Sequence, residues 1–170
     1  MIVAPELQPH GIRNEDSYIR AHVSPTARKI LVFRTADMLA NINQNNYRTA
    51  SAGQNGVLGI TARGYLVPWR GLPFIRCIES KKPWWNNFAD SQPEGQKGKR
   101  AVDVVVMAMT AGKFPFWVEP HIVTDVNIDI KGTDLTVEGT WRIQVKCDFN
   151  AGITGNLFIQ FEECNPLKRY

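Results

Sequence analysis

Apolar and polar positions fall into short blocks along this chain, and the blocks change character near residue 57. Residues 1–24 show no clear period and read as an irregular lead-in. Ser24-Pro25 predicts a helix start, with Ser24 as N-cap and Pro25 at the first helical position, where its missing N–H costs little. Ile30, Leu31, Phe33, Met38, Leu39 and Ile42 supply a buried face, although residues 30–33 also read as a short strand. The following segment, NINQNNYRTASAGQNG, is polar and turn-rich and predicts a loop.

From Val57 the runs become β-like. Residues 57–60, 64–69 and 74–78 are short apolar stretches punctuated by Gly and Pro, the pattern of a hairpin or small meander. Residues 81–94, KKPWWNNFADSQPE, form an aromatic and polar linker. Residues 98–112 read as a helix closed by Gly112, with a Val-rich centre that also suits a strand. Strands are predicted over 116–118 and 123–130. A hairpin follows, made of 134–137 and 141–149 and turning at Glu138-Gly139, and a last strand spans 157–161. No segment repeats.

Composition narrows the class. A chain of 170 residues, 44% hydrophobic and 21% charged, can build one core, or a core plus an extension, and is not disordered throughout. No apolar run approaches the roughly 18–20 residues of a membrane span. The opening MIVAPELQPHGIRNEDSY lacks the basic-then-apolar layout of a signal peptide, so a cytoplasmic protein of a bacterial or phage-infected cell is expected, with no membrane partner. Cys77, Cys147 and Cys164 form no CxxC pair, and His10, His22 and His121 are equally scattered, which argues against zinc and for buried free thiols. Charge is uneven. Residues 1–100 carry fourteen Lys/Arg against seven Asp/Glu, and residues 101–170 carry six against nine. A basic half suits a polyanion and an acidic half suits a divalent cation.

The candidate chemistry lies in GTDLTVEGTWRIQVKCDF. Residues two apart on a strand share a face, so Gln144 and Lys146 project together while Ile143 and Val145 face the apolar side. An antiparallel hairpin of this length can bring Asp134 to the Gln144/Lys146 side. Carboxylate, amide oxygen and ammonium would then meet. Mg²⁺ takes oxygen ligands and keeps several waters, and a nearby lysine can orient an attacking water and offset developing charge. These are the parts that phosphodiester hydrolysis needs.

The same stretch resembles the PD-(D/E)XK nuclease superfamily, in which an acid on one strand is followed by an acid-x-Lys triplet on the next. Here those positions are Asp134 and Gln144-Val145-Lys146. GQKGKRAVDVVVMAMTAGKFPFWV looks like the opening helix and first strand of such cores, and KCDFNAGITGNLFIQFEE looks like the continuation in small phage-type members. The likeness covers roughly residues 95–163. It implies an α/β fold: a mixed β-sheet with flanking helices, restriction-endonuclease-like, over residues 96–170. A basic N-terminal extension of helix and β-hairpin would occupy residues 1–95. It also implies a DNA endonuclease using Mg²⁺ or Mn²⁺ held by Asp134 and Gln144, with Lys146 positioning water and Asp103 as the helical acid. The triplet begins with Gln144 where the family has an acid, and Asp103 is shorter than the commoner Glu.

Further residues are expected around this core. Lys97, Lys99 and Arg100 begin the proposed helix and could meet phosphates, though such a run is usually solvated. Arg63, Arg70 and Arg76 could enter a DNA groove as a β-ribbon, and Trp84 and Trp85 either stack on bases or pack in the core. Lys146 could instead pair with Asp148 or Glu138, and Asp125 and Asp129 read as exposed strand carboxylates. A double-strand cut by one site per chain calls for a homo-oligomer. Two other classes stay open: an inactive nucleic-acid-binding protein of the same fold, and a viral structural protein.

Overall fold

The computed structural model describes residues 18–54, 57–86, 88–89, 91–114, 122–123, 135–137 and 141–164. In chain order the elements are β1 (Tyr18–Ser24), β2 (Lys29–Arg34), α1 (Thr35–Gln44), β3 (Thr49–Gln54), β4 (Val57–Pro68) and β5 (Arg76–Glu79). A 3-10 turn (Pro83–Trp85), α2 (Glu94–Thr110), β6 (Ile122–Val123), β7 (Leu135–Val137), β8 (Trp141–Cys147), α3 (Phe149–Thr154) and β9 (Asn156–Cys164) follow. The fold is mixed α/β with two sheets. A six-stranded sheet runs β5-β2-β1-β8-β7-β6 and a three-stranded sheet runs β3-β4-β9. Among the described residues of the larger sheet, β1–β8 is the parallel pair, with Arg20 beside Gln144 and His22 beside Lys146, and the other pairs are antiparallel.

Strand alternation assigns the two faces of the large sheet. Ile19, Ala21 and Val23 of β1, Ile30 and Val32 of β2, and Ile143 and Val145 of β8 pack against Ala101, Val104, Val105 and Ala108 of α2. Leu31 and Phe33 point the other way, onto Met38, Leu39 and Ile42 of α1 and onto Val67, Leu157 and Ile159 of the small sheet. The molecule is therefore layered: helix α2, large sheet, then small sheet with α1 and α3. Arg20 and His22 lie on the inner face, between the sheets, and are 1% and 0% exposed.

Several elements differ from the sequence reading. Ser24-Pro25 does not open a helix. Pro25–Arg28 is the turn of a β1–β2 hairpin, with Arg28 N–H on Pro25 O at 3.3 Å and Arg28 in the left-handed region at φ 53°. Ser-Pro starts turns as readily as helices, and the Ile-Leu-Val-Phe run behind it favours a strand. The lead-in expected over 1–24 supplies, in its described part, the central strand β1, buried at every residue. The loop expected over 41–56 holds the end of α1 and strand β3, and the two runs expected at 57–69 join in the single 12-residue strand β4. Both sheets mix strands from either side of residue 95, so the described part of the extension is built into the core.

The helix expected over 98–112 is α2. Its end is a Schellman arrangement, with Gly112 at φ 70°, Gly112 N–H on Met109 O at 2.9 Å and Lys113 N–H on Ala108 O at 3.0 Å. Trp84 and Trp85 are core residues, and Trp85 Nε1–H donates to Ser80 O at 2.9 Å. Of the strand expected over 123–130, Val123 belongs to β6; the remainder, the strand expected at 116–118 and the Glu138-Gly139 turn lie outside the described residues.

One contact ties α3 to the first hairpin. Thr26 Oγ1 donates to Phe149 O at 2.7 Å, and Gly152 sits so close to the turn that a Cβ would meet Thr26 Oγ1 and lie 2.7 Å from Ala27 N. Gly152→Ala is expected to destabilise the fold by about 1–3 kcal/mol, lowering Tm by roughly 2–10 °C. Thermal unfolding followed by circular dichroism checks this, and an unchanged Tm would refute the close approach.

Candidate functional site

At the carboxyl end of β8 the two sheets part around a cleft of about 460 Å³. Arg20, His22 and Lys146 come from the large sheet and Lys97 from the first turns of α2. Asp148 sits between β8 and α3, and Gln160 belongs to β9. The facing wall is made of small residues, Ala52, Gly53 and Ala62. Among the described charged residues of the lining, three cations therefore stand against the single carboxylate of Asp148.

That carboxylate is committed to internal bonds. Its Oδ1 takes the Ala151 N–H at 3.1 Å as the N-cap of α3, and its Oδ2 takes the Phe158 N–H at 3.1 Å. The same Oδ2 lies 3.2 Å from His22 Nδ1. Asp148 accepts backbone N–H groups on both oxygens, so it is the acceptor here too and Nδ1 carries the proton. Burial pulls the His22 pKa below its ordinary 6.5. The hydrogen bond to Asp148 opposes this, and the positive charge of Arg20 adds to it. The contact is thus a hydrogen bond from a neutral imidazole rather than an ion pair. Nε2 is left with a lone pair, and it is buried without a hydrogen-bond partner among the described residues.

This lowered pKa makes stability pH-dependent with a definite sign. Unfolded His22 takes a proton near pH 6.5, whereas the folded imidazole takes one only at lower pH. Between those values the unfolded state binds more protons, so stability falls as the solution is acidified below pH 6.5. The slope has a ceiling of about 1.4 kcal/mol per pH unit for one group. Denaturant midpoints between pH 7 and 5 should decline in the wild type and decline less in His22→Gln. Equal slopes would count against a buried neutral histidine.

No family model matches the chain, and no curated protein or solved structure matches it either.

Gln144 and Lys146 share the inner face, but Gln144 is 7% exposed and lies deeper, while Lys146 is half-buried and lines the cleft. Leu135 of β7 pairs with Ile143 of β8, so the hairpin exists. Asp134, like Asp125, Asp129 and Glu138, lies outside the described residues. Asp103 is exposed on α2, whose inner side packs on the opposite face of the sheet, and it does not line the cleft. Lys97 is 5% exposed and reaches the cleft, with Nζ 5.4 Å from the Phe149 ring centroid. Lys99 is exposed, and Arg100 ties α2 to the 3-10 turn through a 3.0 Å bond to Trp84 O.

Arg63, Arg70 and Arg76 do not form one ribbon. Arg63 is on the small sheet against Phe161, Arg70 stacks 4.7 Å from the Trp69 ring, and Arg76 is on the edge strand β5 with Nη1 on Pro73 O at 2.6 Å. Among the described residues, no group of three or more His, Cys, Asp or Glu could hold a metal ion. Among them, too, no helix is long and apolar enough to cross a membrane. Arg20, His22 and the capping role of Asp148 were not singled out from sequence. The available signal was Ile19-Ala21-Val23 alternating with Arg20 and His22, which marks a strand with a polar face.

Proposed function

We propose that this protein is a metal-dependent DNA endonuclease, using Mg²⁺ or Mn²⁺ and built on a PD-(D/E)XK-like core. The observation that carries the reading is the position of Lys146. It lies at the carboxyl end of β8, on the polar side of the β7–β8 hairpin, at a cleft whose described charged lining is cationic apart from an internally bonded carboxylate. A cationic cleft raises the local concentration of a polyanion.

Carboxylate and amide oxygens are the kind of donors a hard cation takes. Leu135 pairs with Ile143, and Asp134 and Gln144 are the residues bonded to that pair. In this reading Asp134 would supply a carboxylate and Gln144 an amide oxygen to hold the ion. A divalent ion held there supplies Lewis acidity at the phosphate. Lys146 orients the attacking water and offsets charge developing on the phosphate oxygens. Lys97 and Arg20 hold the substrate phosphate in the cleft. One site per chain makes a double-strand cut the work of a homodimer.

The test is nicking or linearisation of supercoiled plasmid by the full chain with Mg²⁺ and with Mn²⁺, expected in the wild type and absent in Asp134→Ala. Salt-sensitive DNA binding by a wild type that never cleaves would sink catalysis and leave a nucleic-acid-binding protein. No DNA binding at all would sink both.

A further inference from the structure

Phosphate hydrolysis makes no use of two aromatic rings in the cleft lining, Phe149 and Phe158, both partly buried. The Phe149 ring is fixed by Phe88, edge-on at 6.1 Å, and lies beside the Lys97 ammonium. The Phe158 ring is seated over Gly64, where a Cβ would come within 2.7 Å of its Cζ. Ala52, Gly53 and Ala62 line the same cleft with little side-chain bulk, and a Cβ added at Gly53 would meet nothing within 4 Å. Aromatic faces interleaved with cations are what single-stranded nucleic acid requires, because every base has a face to stack and every linkage has a charge.

Size and hydrogen-bond chemistry agree. About 460 Å³ falls in the range of pockets that enclose one small molecule, roughly 300–1,000 Å³. A duplex, whose major groove alone is about 12 Å across, is far larger. Lys97, Lys146 and Arg20 give the lining a positive charge that suits a phosphate. His22 Nε2 is an acceptor with no donor among the described residues. A bare phosphate diester cannot satisfy it, whereas the N–H groups of a base can.

We propose that the cleft takes one unpaired deoxynucleotide, its phosphate beside Lys146 and its base against Phe149 and Phe158, so that the preferred substrate is single-stranded or frayed DNA. The cleavage of that substrate rests on the nuclease reading; the binding preference does not.

The experiment is fluorescence anisotropy of the full chain in EDTA. The probes are a short labelled oligodeoxynucleotide, the same sequence as a duplex, and a single strand of equal length with abasic sites. Single-strand affinity should exceed both others by roughly 5- to 100-fold, the range of one base stack. Phe149→Leu and Phe158→Leu should lose single-strand affinity by a similar factor with duplex affinity unchanged, and Phe158→Tyr should retain it. Equal or tighter duplex binding, or equal binding of the abasic strand, overturns the proposal with the wild type alone, whatever the variants do to folding. A single-strand preference without Mg²⁺-dependent cleavage would sink the nuclease reading and leave this one standing. Cleavage with a duplex preference would do the reverse.

Discussion

Lys146→Ala is expected to slow Mg²⁺-dependent cleavage by about 10²–10³-fold, the usual cost of removing one cationic or hydrogen-bonding group aimed at developing charge. The effect should appear in the single-turnover rate more than in DNA affinity, because Lys97 and Arg20 remain in the cleft to hold phosphate. It should also be separable from folding. Ile143 and Val145 anchor β8 in the core against α2, whereas Lys146 is half-buried on the other face. Tm should therefore move little. Lys146→Arg should restore the charge without restoring the rate, since a planar guanidinium cannot place a water as a compact ammonium does. Unchanged single-turnover rates in Lys146→Ala would remove Lys146 from the chemistry.

The largest effect on stability is expected at Asp148. Its side chain is buried and joins three segments: it caps α3 through Ala151, holds β9 through Phe158 and orients His22 in β1. Losing the cap costs about 1 kcal/mol, and each buried donor left without a partner costs about 1–3 kcal/mol more. Asp148→Ala should thus lose about 3–7 kcal/mol, a large part of the stability of a domain this size. Asp148→Asn, with one oxygen and an amide that itself donates, should fall between the two. Urea denaturation read by tryptophan fluorescence measures this. A loss below about 1 kcal/mol in Asp148→Ala would mean that Asp148 does no more than cap its helix.

Both predictions hang on the β8–α3 junction, and this was only partly legible in the sequence. The alternation Ile143-Gln144-Val145-Lys146 announced which side chains would face the core, because strand geometry forces successive residues to opposite faces. The β1–β8 pairing is parallel and joins residues more than a hundred positions apart, and a local pattern carries no trace of such a partner. Asp148 was legible only as a neighbour of Lys146. Its structural partner His22 is 126 positions away. Lys146 at the cleft follows from alternation, and the cleft itself does not.

What the sequence determined by itself is what short-range physics controls. The closing glycine announces the end of α2, whose Val-rich centre by itself suited a strand equally well, and the two-residue period sets the faces of β8. Glu138-Gly139, set between two strand-like runs, predicts β7 and β8 as neighbours, a pairing the structure contains. Tertiary structure alone decided that Tyr18–Ser24 is a central strand, that β4 pairs with β3 and β9 in a separate sheet, and that Arg20, His22, Lys97, Phe149 and Phe158 meet around one cleft. A buried arginine and histidine on one face of a strand are tolerated only when distant elements surround them and supply charge and hydrogen bonds. No window of local sequence contains those elements.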